Sequence, residues 1–72
     1  MKIKYDPTVD AIYFRFVEGK REVTTQRLTE DVAVNYGSKG EVVGIEILSA
    51  SEHLGFSGKI PKVEIENLKL AD

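Results

Sequence analysis

Residues 31–51, DVAVNYGSKGEVVGIEILSAS, constrain the fold more than any other part of the chain. Apolar side chains recur there at every second position, on both sides of a short segment that contains two glycines. A period of two is typical of a strand that buries one face, and two such runs joined by a few turn-forming residues are typical of a β-hairpin. Gly37 and Gly40 bound the loop, and glycine adopts the positive φ angles that hairpin loops often need. The sequence therefore predicts a hairpin whose second strand runs from Glu41 to about Leu48.

Three further strands are predicted before this hairpin. Alternating patterns in residues 2–5 and 10–17 predict two strands separated by a turn at Asp6 and Pro7, since both residue types favour turn positions. Residues 21–28, REVTTQRL, predict a third and more polar strand. Charged side chains on an edge strand discourage pairing with other chains, so we expect residues 21–28 to lie at an edge of the sheet.

The same alternation assigns one face of the strands to the hydrophobic core. The side chains predicted to form this face are Ile3, Tyr5, Ile12, Phe14, Phe16, Val43, Ile45 and Ile47. A single sheet needs its apolar face covered, and we expect a helical turn, the C-terminal tail or a second subunit to cover it. The predicted fold class is mainly β (α+β), an antiparallel β-meander of four to five strands with one short helix after the last meander strand.

The segment after the hairpin predicts this short helix and then a tail. Ser49 and Glu52 have the spacing of a capping box, in which the serine caps the helix and the glutamate bonds back to the serine amide. Gly55 stands where a C-cap glycine would end a single helical turn. We therefore assign residues 1–55 to a compact β-rich domain. Residues 56–72 are a C-terminal tail, which we expect to form a short strand or an extended docking arm.

Composition excludes several kinds of site and partner. The chain has 72 residues, no cysteine and one histidine, which excludes disulfides and thiolate metal sites. We predict no metal ligands, no cofactor and no catalytic residues. A net charge of −2 and the lack of a long basic run argue against nucleic acid as a partner. No apolar stretch approaches the ~20 residues of a membrane-spanning helix, and residues 1–6 lack an apolar signal core, so we expect a cytoplasmic protein with no membrane partner.

The small size of the chain also predicts self-association. A single core in a domain this small supplies only about 3–5 kcal/mol, and small domains commonly add disulfides, a metal or oligomerisation. We therefore predict a homodimer or a higher homo-oligomer. Alternation places several larger side chains away from the predicted core, and Tyr and Arg are enriched in protein interfaces. The interface candidates are Tyr13, Arg15, Val17 and Leu48. The alternatives for Tyr13 and Arg15 are a solvated sheet face and a surface that stacks single-stranded bases.

Some polar residues resemble sites, and each has a plainer structural account. His53 has serines near it in sequence, but neighbours on one helical turn do not make a catalytic triad, and a histidine at a helix end is the plainer interpretation. Asp6 and Asp10 could pair as acid and base, or bind a hard cation with Glu18. The spacing matches no calcium-binding loop, and turn capping is the plainer account of the two aspartates. Gly44 within a strand indicates a bulge or a close backbone approach rather than a ligand contact.

Two motifs resemble the signatures of a known family. Residues 5–7 (YDP) followed by residues 10–15 (DAIYFR) resemble the opening signature of the DUF2283 family, and residues 40–48 (GEVVGIEIL) followed by residues 50–51 (AS) resemble its second signature. The resemblance covers about residues 1–54. It implies a compact β-rich domain with a short helix, in small bacterial and archaeal proteins of uncharacterised function. Some relatives are encoded beside small toxin-like proteins, so the resemblance implies an antitoxin-like role with a small toxin as protein partner.

These predictions favour a non-enzymatic protein-interaction module that self-associates or binds a partner protein. The alternative is a small-ligand binder or a small enzyme, which a concave site with converging polar groups would indicate. A weaker alternative is a nucleic-acid binder, which would lose affinity steeply as salt is added.

Overall fold

The computed structural model describes residues 1–57 and 61–67 of the chain. Five strands form one antiparallel sheet: β1 (Lys2–Asp6), β2 (Ala11–Arg15), β3 (Thr24–Arg27), β4 (Val32–Tyr36) and β5 (Val42–Leu48). One short helix, α1 (Ala50–Leu54), follows the last strand. The predicted fold class is confirmed: the protein is mainly β, with an antiparallel sheet and a short helix after its last strand. In this part of the chain, no helix is long and apolar enough to cross a membrane.

The strand order across the sheet is β1-β2-β5-β4-β3. β3, β4 and β5 form a meander, but β2 pairs with β5 instead of β3. The order differs from a simple meander at this one connection, because residues 16–23 carry the chain from beside the centre of the sheet to its far edge. Strands β2 to β5 therefore have the order of a Greek key.

The position of each strand follows its composition. The central strand is β5, the longest and one of the most apolar. β3 lies at one edge, and every residue from 21 to 30 is exposed, so the predicted edge strand is confirmed. The other edge is β1, in which lysines alternate with apolar residues. Charged and polar edge strands discourage pairing with other sheets.

The core is small. Among the described residues, the buried hydrophobic side chains are Ile12, Ala33, Val34, Val43 and Ala50. The register places Ile12 opposite Ile47, and Phe14 opposite Ile45. We call the side of the sheet that carries Ile12, Phe14, Ile45 and Ile47 the apolar face. Its members in the strand pairs are Ile3, Tyr5, Ile12, Phe14, Thr24, Gln26, Val32, Val34, Tyr36, Ile45 and Ile47.

The predicted core residues are buried to different extents. Ile12 and Val43 are fully buried, whereas five others are half-buried: Ile3, Tyr5, Phe14, Ile45 and Ile47. Phe16 is 39% exposed, because β2 ends at Arg15 and Phe16 lies just beyond the paired strands. Its amide still donates to the Val43 carbonyl at 2.8 Å, which extends the ladder by one residue.

The helix boundaries agree with the prediction, but the capping box is wrong. Ser49 precedes α1 with a φ of 51°, and its side chain makes no capping hydrogen bond. Gly55 ends the helix with a φ of 67°, as predicted for a C-cap glycine. Residues 61–67 form neither helix nor strand. The rest of the predicted strand or docking arm, residues 58–60 and 68–72, lies outside the described residues.

Candidate functional site

Asp10 connects the β1–β2 turn to the start of α1. Its carboxylate accepts hydrogen bonds from the Tyr5 hydroxyl at 2.7 Å, from the Ser51 amide at 3.0 Å and from the Ser51 hydroxyl at 2.7 Å. Its main-chain oxygen accepts a hydrogen bond from the Ala50 amide at 2.9 Å. The first amides of a helix have no partner within the helix, so Asp10 provides the cap that Ser49 does not.

These hydrogen bonds favour the ionised form of the Asp10 carboxylate. Donation by Tyr5, and then by Ser51, lowers the pKa of Asp10, and the hydrogen bond to Asp10 raises the pKa of Tyr5. A carboxylate with a lowered pKa is a poor general base at neutral pH. The Tyr5, Asp10 and Ser51 side chains therefore form a structural cluster that joins a turn to a helix.

Asp6 has a separate role in the same turn. Its carboxylate accepts hydrogen bonds from the Thr8 hydroxyl at 2.6 Å and the Thr8 amide at 2.9 Å, and these bonds lower the pKa of Asp6. Asp6 and Asp10 thus bind different partners, as turn capping requires, and they do not form an acid–base pair. Among residues 1–57 and 61–67, no three His, Asp or Glu side chains are grouped closely enough to hold a metal ion.

His53 pairs with Asp31 and not with a serine. The His53 Nε2 atom lies 2.9 Å from Asp31 Oδ2, which connects α1 to the residue before β4. The Ser51 hydroxyl donates to Asp10 instead. His53 therefore has a structural partner, and the neighbouring serines gain no activating base from it.

A hydrogen-bonded network crosses the opposite side of the sheet, which we call the polar face. Its members in the strand pairs are Lys2, Lys4, Asp6, Ala11, Tyr13, Arg15, Thr25, Arg27, Ala33, Asn35, Gly44, Glu46 and Leu48. Tyr13 accepts a hydrogen bond from Asn35 Nδ2 at 3.0 Å, and Asn35 Oδ1 accepts one from the Thr25 hydroxyl at 2.6 Å. A side chain at Gly44 would collide with the Tyr13 ring and come within 2.8 Å of the Phe14 carbonyl oxygen. The close backbone approach predicted at Gly44 is therefore present, next to a register shift between β4 and β5.

Cationic side chains gather around Tyr13 on this face. Lys4 lies directly opposite Tyr13, and Lys2 lies opposite Arg15. The loop after β2 adds Lys20, which lines a cavity of about 300 Å³ together with those four side chains. On another side of Tyr13, a depression of about 360 Å³ is lined by Arg15, Lys20, Arg21 and Asn35, among others.

The loop after β2 holds Arg15 in place. Arg15 Nε donates to the Val17 carbonyl oxygen at 2.9 Å, and Arg15 Nη2 donates to the Gly19 carbonyl oxygen. The guanidinium is therefore directed by backbone atoms and not by a carboxylate. This cluster of cations was not predicted from the sequence, because its members come from three separate segments and no run of basic residues marks it.

The four interface candidates do not form one compact patch. Tyr13 and Arg15 are neighbours on the polar face. Leu48 is half-buried opposite Ala11, at one end of the β2–β5 pair, and Val17 is half-buried beyond the other end of β2. At about 3.3 Å per residue, the two ends are roughly 20 Å apart. The structure thus brings Tyr13 and Arg15 together and separates Val17 from Leu48.

A cavity of about 410 Å³ lies against the apolar face. It is lined by Ile12 and Phe14 from the sheet, by Leu54 and Phe56 from α1 and the residues after it, and by residues 61–64. Phe56 also meets the Tyr5 ring edge-on, with ring centroids 5.2 Å apart. The lining of this cavity is mostly apolar and lacks the converging polar groups that fix a small ligand in a site.

These features define a small antiparallel β-sheet protein with one apolar face, one cationic polar face and a structural Tyr5–Asp10–Ser51 cluster. Residues 2–51 match the family described as Protein of unknown function (DUF2283), and the chain belongs to this family. The predicted resemblance is therefore confirmed. No similar protein was found among curated proteins or solved structures.

Proposed function

We propose that this protein is a non-enzymatic protein-interaction module that self-associates through its apolar face. The incomplete burial of that face carries the proposal. Phe14, Ile45 and Ile47 are only half-buried, although they lie at the middle of the sheet. Phe16 continues the same alternation and is 39% exposed. Apolar surface that stays in contact with water favours association, at roughly 25 cal/mol per Å² buried.

A second copy of the chain is the occupant that the charges favour. The strand-pair residues of the apolar face are uncharged, so two copies can pack there without bringing like charges together. A two-fold interface on the polar face would instead place Lys2, Lys4 and Arg15 close to their symmetry mates, and like charges across an interface are costly. Two-fold dimers are also the commonest closed oligomers.

A partner protein is the alternative occupant of the apolar face. The resemblance to DUF2283 suggested a small toxin for this role, and the cytoplasm is the compartment that we expect from the sequence. A partner protein of this kind would leave the isolated chain monomeric in solution. The oligomeric state of the pure protein therefore distinguishes the two occupants.

Sedimentation equilibrium at micromolar concentration tests the proposal with a matched pair of variants. Phe16→Glu places a charge at the end of the apolar face, and Val9→Glu places the same charge in the β1–β2 turn, where Val9 is 66% exposed. We expect the unmodified chain and Val9→Glu to be dimeric, and the dimer dissociation constant of Phe16→Glu to rise at least tenfold, because a buried unpaired charge is costly. A strictly monomeric mass for the unmodified chain would rule the proposal out.

A further inference from the structure

The pairing of β1 with β2 places two cations directly opposite each other. Lys2 and Arg15 are cross-strand partners on the polar face. Like charges in this position destabilise a sheet. Among the described residues, no carboxylate lies within salt-bridge distance of either side chain. The pair is therefore a place where a bound anion would remove an unfavourable interaction.

The surroundings of this pair are positive, although the chain as a whole is negative. Five cationic side chains surround Tyr13: Lys2, Lys4, Arg15, Lys20 and Arg21. Three carboxylates offset them in part: Glu18 lines the cavity, Glu41 lies 3.4 Å from Arg21, and Glu46 lies directly opposite Tyr13 in the β2–β5 pair. The rest of the sequence has nine acidic and five basic side chains. A local concentration of one sign of charge raises the local concentration of oppositely charged ligands.

The depressions of about 300 Å³ and about 360 Å³ adjoin at Tyr13, because both are lined by Tyr13, Arg15 and Lys20. We call the two together the Tyr13 cleft. Tyr13 is held by Asn35, and Arg15 by the Val17 carbonyl oxygen, so the ring and one cation are positioned before any ligand arrives.

We propose that the Tyr13 cleft binds single-stranded nucleic acid. Lysine and arginine side chains would contact successive phosphates, and an unpaired base would stack on the Tyr13 ring, which is how aromatic residues on cationic surfaces hold single strands. A duplex keeps its bases paired and offers no free base to the ring. An acidic peptide would satisfy the cations but has no need of the aromatic side chain. The proposal goes beyond self-association and uses the other face of the sheet.

Fluorescence anisotropy with a labelled 12-nucleotide single-stranded DNA tests the proposal on the full chain. With about four phosphate contacts, log K should fall with log salt at a slope near −3, so affinity should drop about 50-fold between 50 and 200 mM salt. No binding at 50 mM salt with micromolar protein would overturn the proposal.

Two double variants with the same net charge locate the site. Lys2→Ala with Lys20→Ala removes two cations of the cleft, and Lys39→Ala with Lys62→Ala removes two exposed lysines elsewhere. We expect the salt slope to fall to about −1.5 for the cleft pair and to stay near −3 for the control pair. An equal fall in the salt slope for both double variants would mean that the strand is held by diffuse charge attraction, and it would overturn the assignment of binding to the Tyr13 cleft. The mass of each variant, measured alongside, shows whether self-association is intact.

Tyr13 variants and competitors test the stacking and the ligand class. Tyr13→Leu should weaken binding at least about fivefold, whereas Tyr13→Phe, which keeps the ring, should bind within about twofold of the unmodified chain. Thermal melting shows whether Tyr13→Leu is folded. If Tyr13→Leu is not folded, the affinity of Tyr13→Phe for the single strand decides: an unchanged affinity supports the stacking, and a lost affinity overturns it.

Competition tests the ligand class. Inorganic phosphate, duplex DNA or poly-glutamate that competes as well as the single strand, at equal charge, would also overturn the assignment.

Discussion

At the scale of single residues, Asp10 shows how one carboxylate can join segments that are distant in the sequence. It binds Tyr5 in β1 and Ser51 in α1, and Ser51 is 41 positions further along the chain. Sequence reasoning predicted a capping role for Asp10, but only within its own turn, and gave the helix cap to Ser49. Local spacing identifies a residue that is able to cap, and the tertiary fold decides which helix it caps.

The lowered pKa of Asp10 predicts a pH-dependent contribution to stability. Its pKa in the folded state lies below the unfolded value of about 3.9, so the contribution is full above about pH 4 and disappears as the pH falls through the folded value. Asp10→Asn should therefore be less stable than the unmodified chain at pH 7, and this difference should shrink towards pH 2.5. Urea unfolding across this pH range measures it.

Glu52→Gln is the control for this pH experiment. Glu52 is exposed in α1, and none of the side-chain hydrogen bonds within the described residues involves it. Its stability should follow that of the unmodified chain at every pH. An Asp10→Asn difference that stays constant from pH 7 to pH 2.5 would show that the carboxylate charge is not what stabilises the cluster.

At the scale of elements, the strands could be predicted and their order could not. The period of two in residues 31–48 identified β4 and β5, and the polar composition of residues 21–28 identified an edge strand. The pairing of β2 with β5 leaves no local signal, because the same alternation suits any neighbour. The cationic cleft was missed for the same reason: this strand order, together with the loop after β2, gathers its cations from separate segments.

The start of α1 gives a test at this scale. Ser49 has a φ of 51° and no capping hydrogen bond, so Ser49→Gly should leave the unfolding free energy unchanged or raise it by up to about 1 kcal/mol, since glycine tolerates this conformation. Ser51→Ala removes a 2.7 Å hydrogen bond to Asp10 and should lower that free energy by about 1–2 kcal/mol. Urea unfolding at pH 7 compares the two variants. A larger loss of unfolding free energy in Ser49→Gly than in Ser51→Ala would show that Ser49 caps α1 after all.

At the scale of the whole molecule, the two sides of one sheet have different chemistry. The apolar face is only partly covered by α1 and residues 61–64, which leaves Phe14 half-buried. The polar face collects cations around Tyr13 on a chain of net charge −2. A sheet of this kind can self-associate on one side while the other side stays open to an anionic ligand, so the two proposed interactions do not compete for surface.

Self-association through the apolar face predicts that the loss of unfolding free energy caused by Phe14→Ala grows as the protein is concentrated, whereas the loss caused by Ile12→Ala stays constant. Ile12 is already 2% exposed within a single copy, so Ile12→Ala should cost about 2–5 kcal/mol at every concentration. Phe14 is half-buried, so in dilute solution Phe14→Ala should cost less than the about 3–5 kcal/mol of a fully buried phenylalanine. Above the dimer dissociation constant, each tenfold rise in total concentration should add about 0.7 kcal/mol per chain to the stability of the unmodified protein, because the free-monomer concentration rises only as the square root of the total. The gain should be smaller for Phe14→Ala, which loses part of the interface. Thermal melts of the three proteins over a hundredfold range of concentration make the comparison, and differences that stay constant for both variants would show that no second copy covers Phe14.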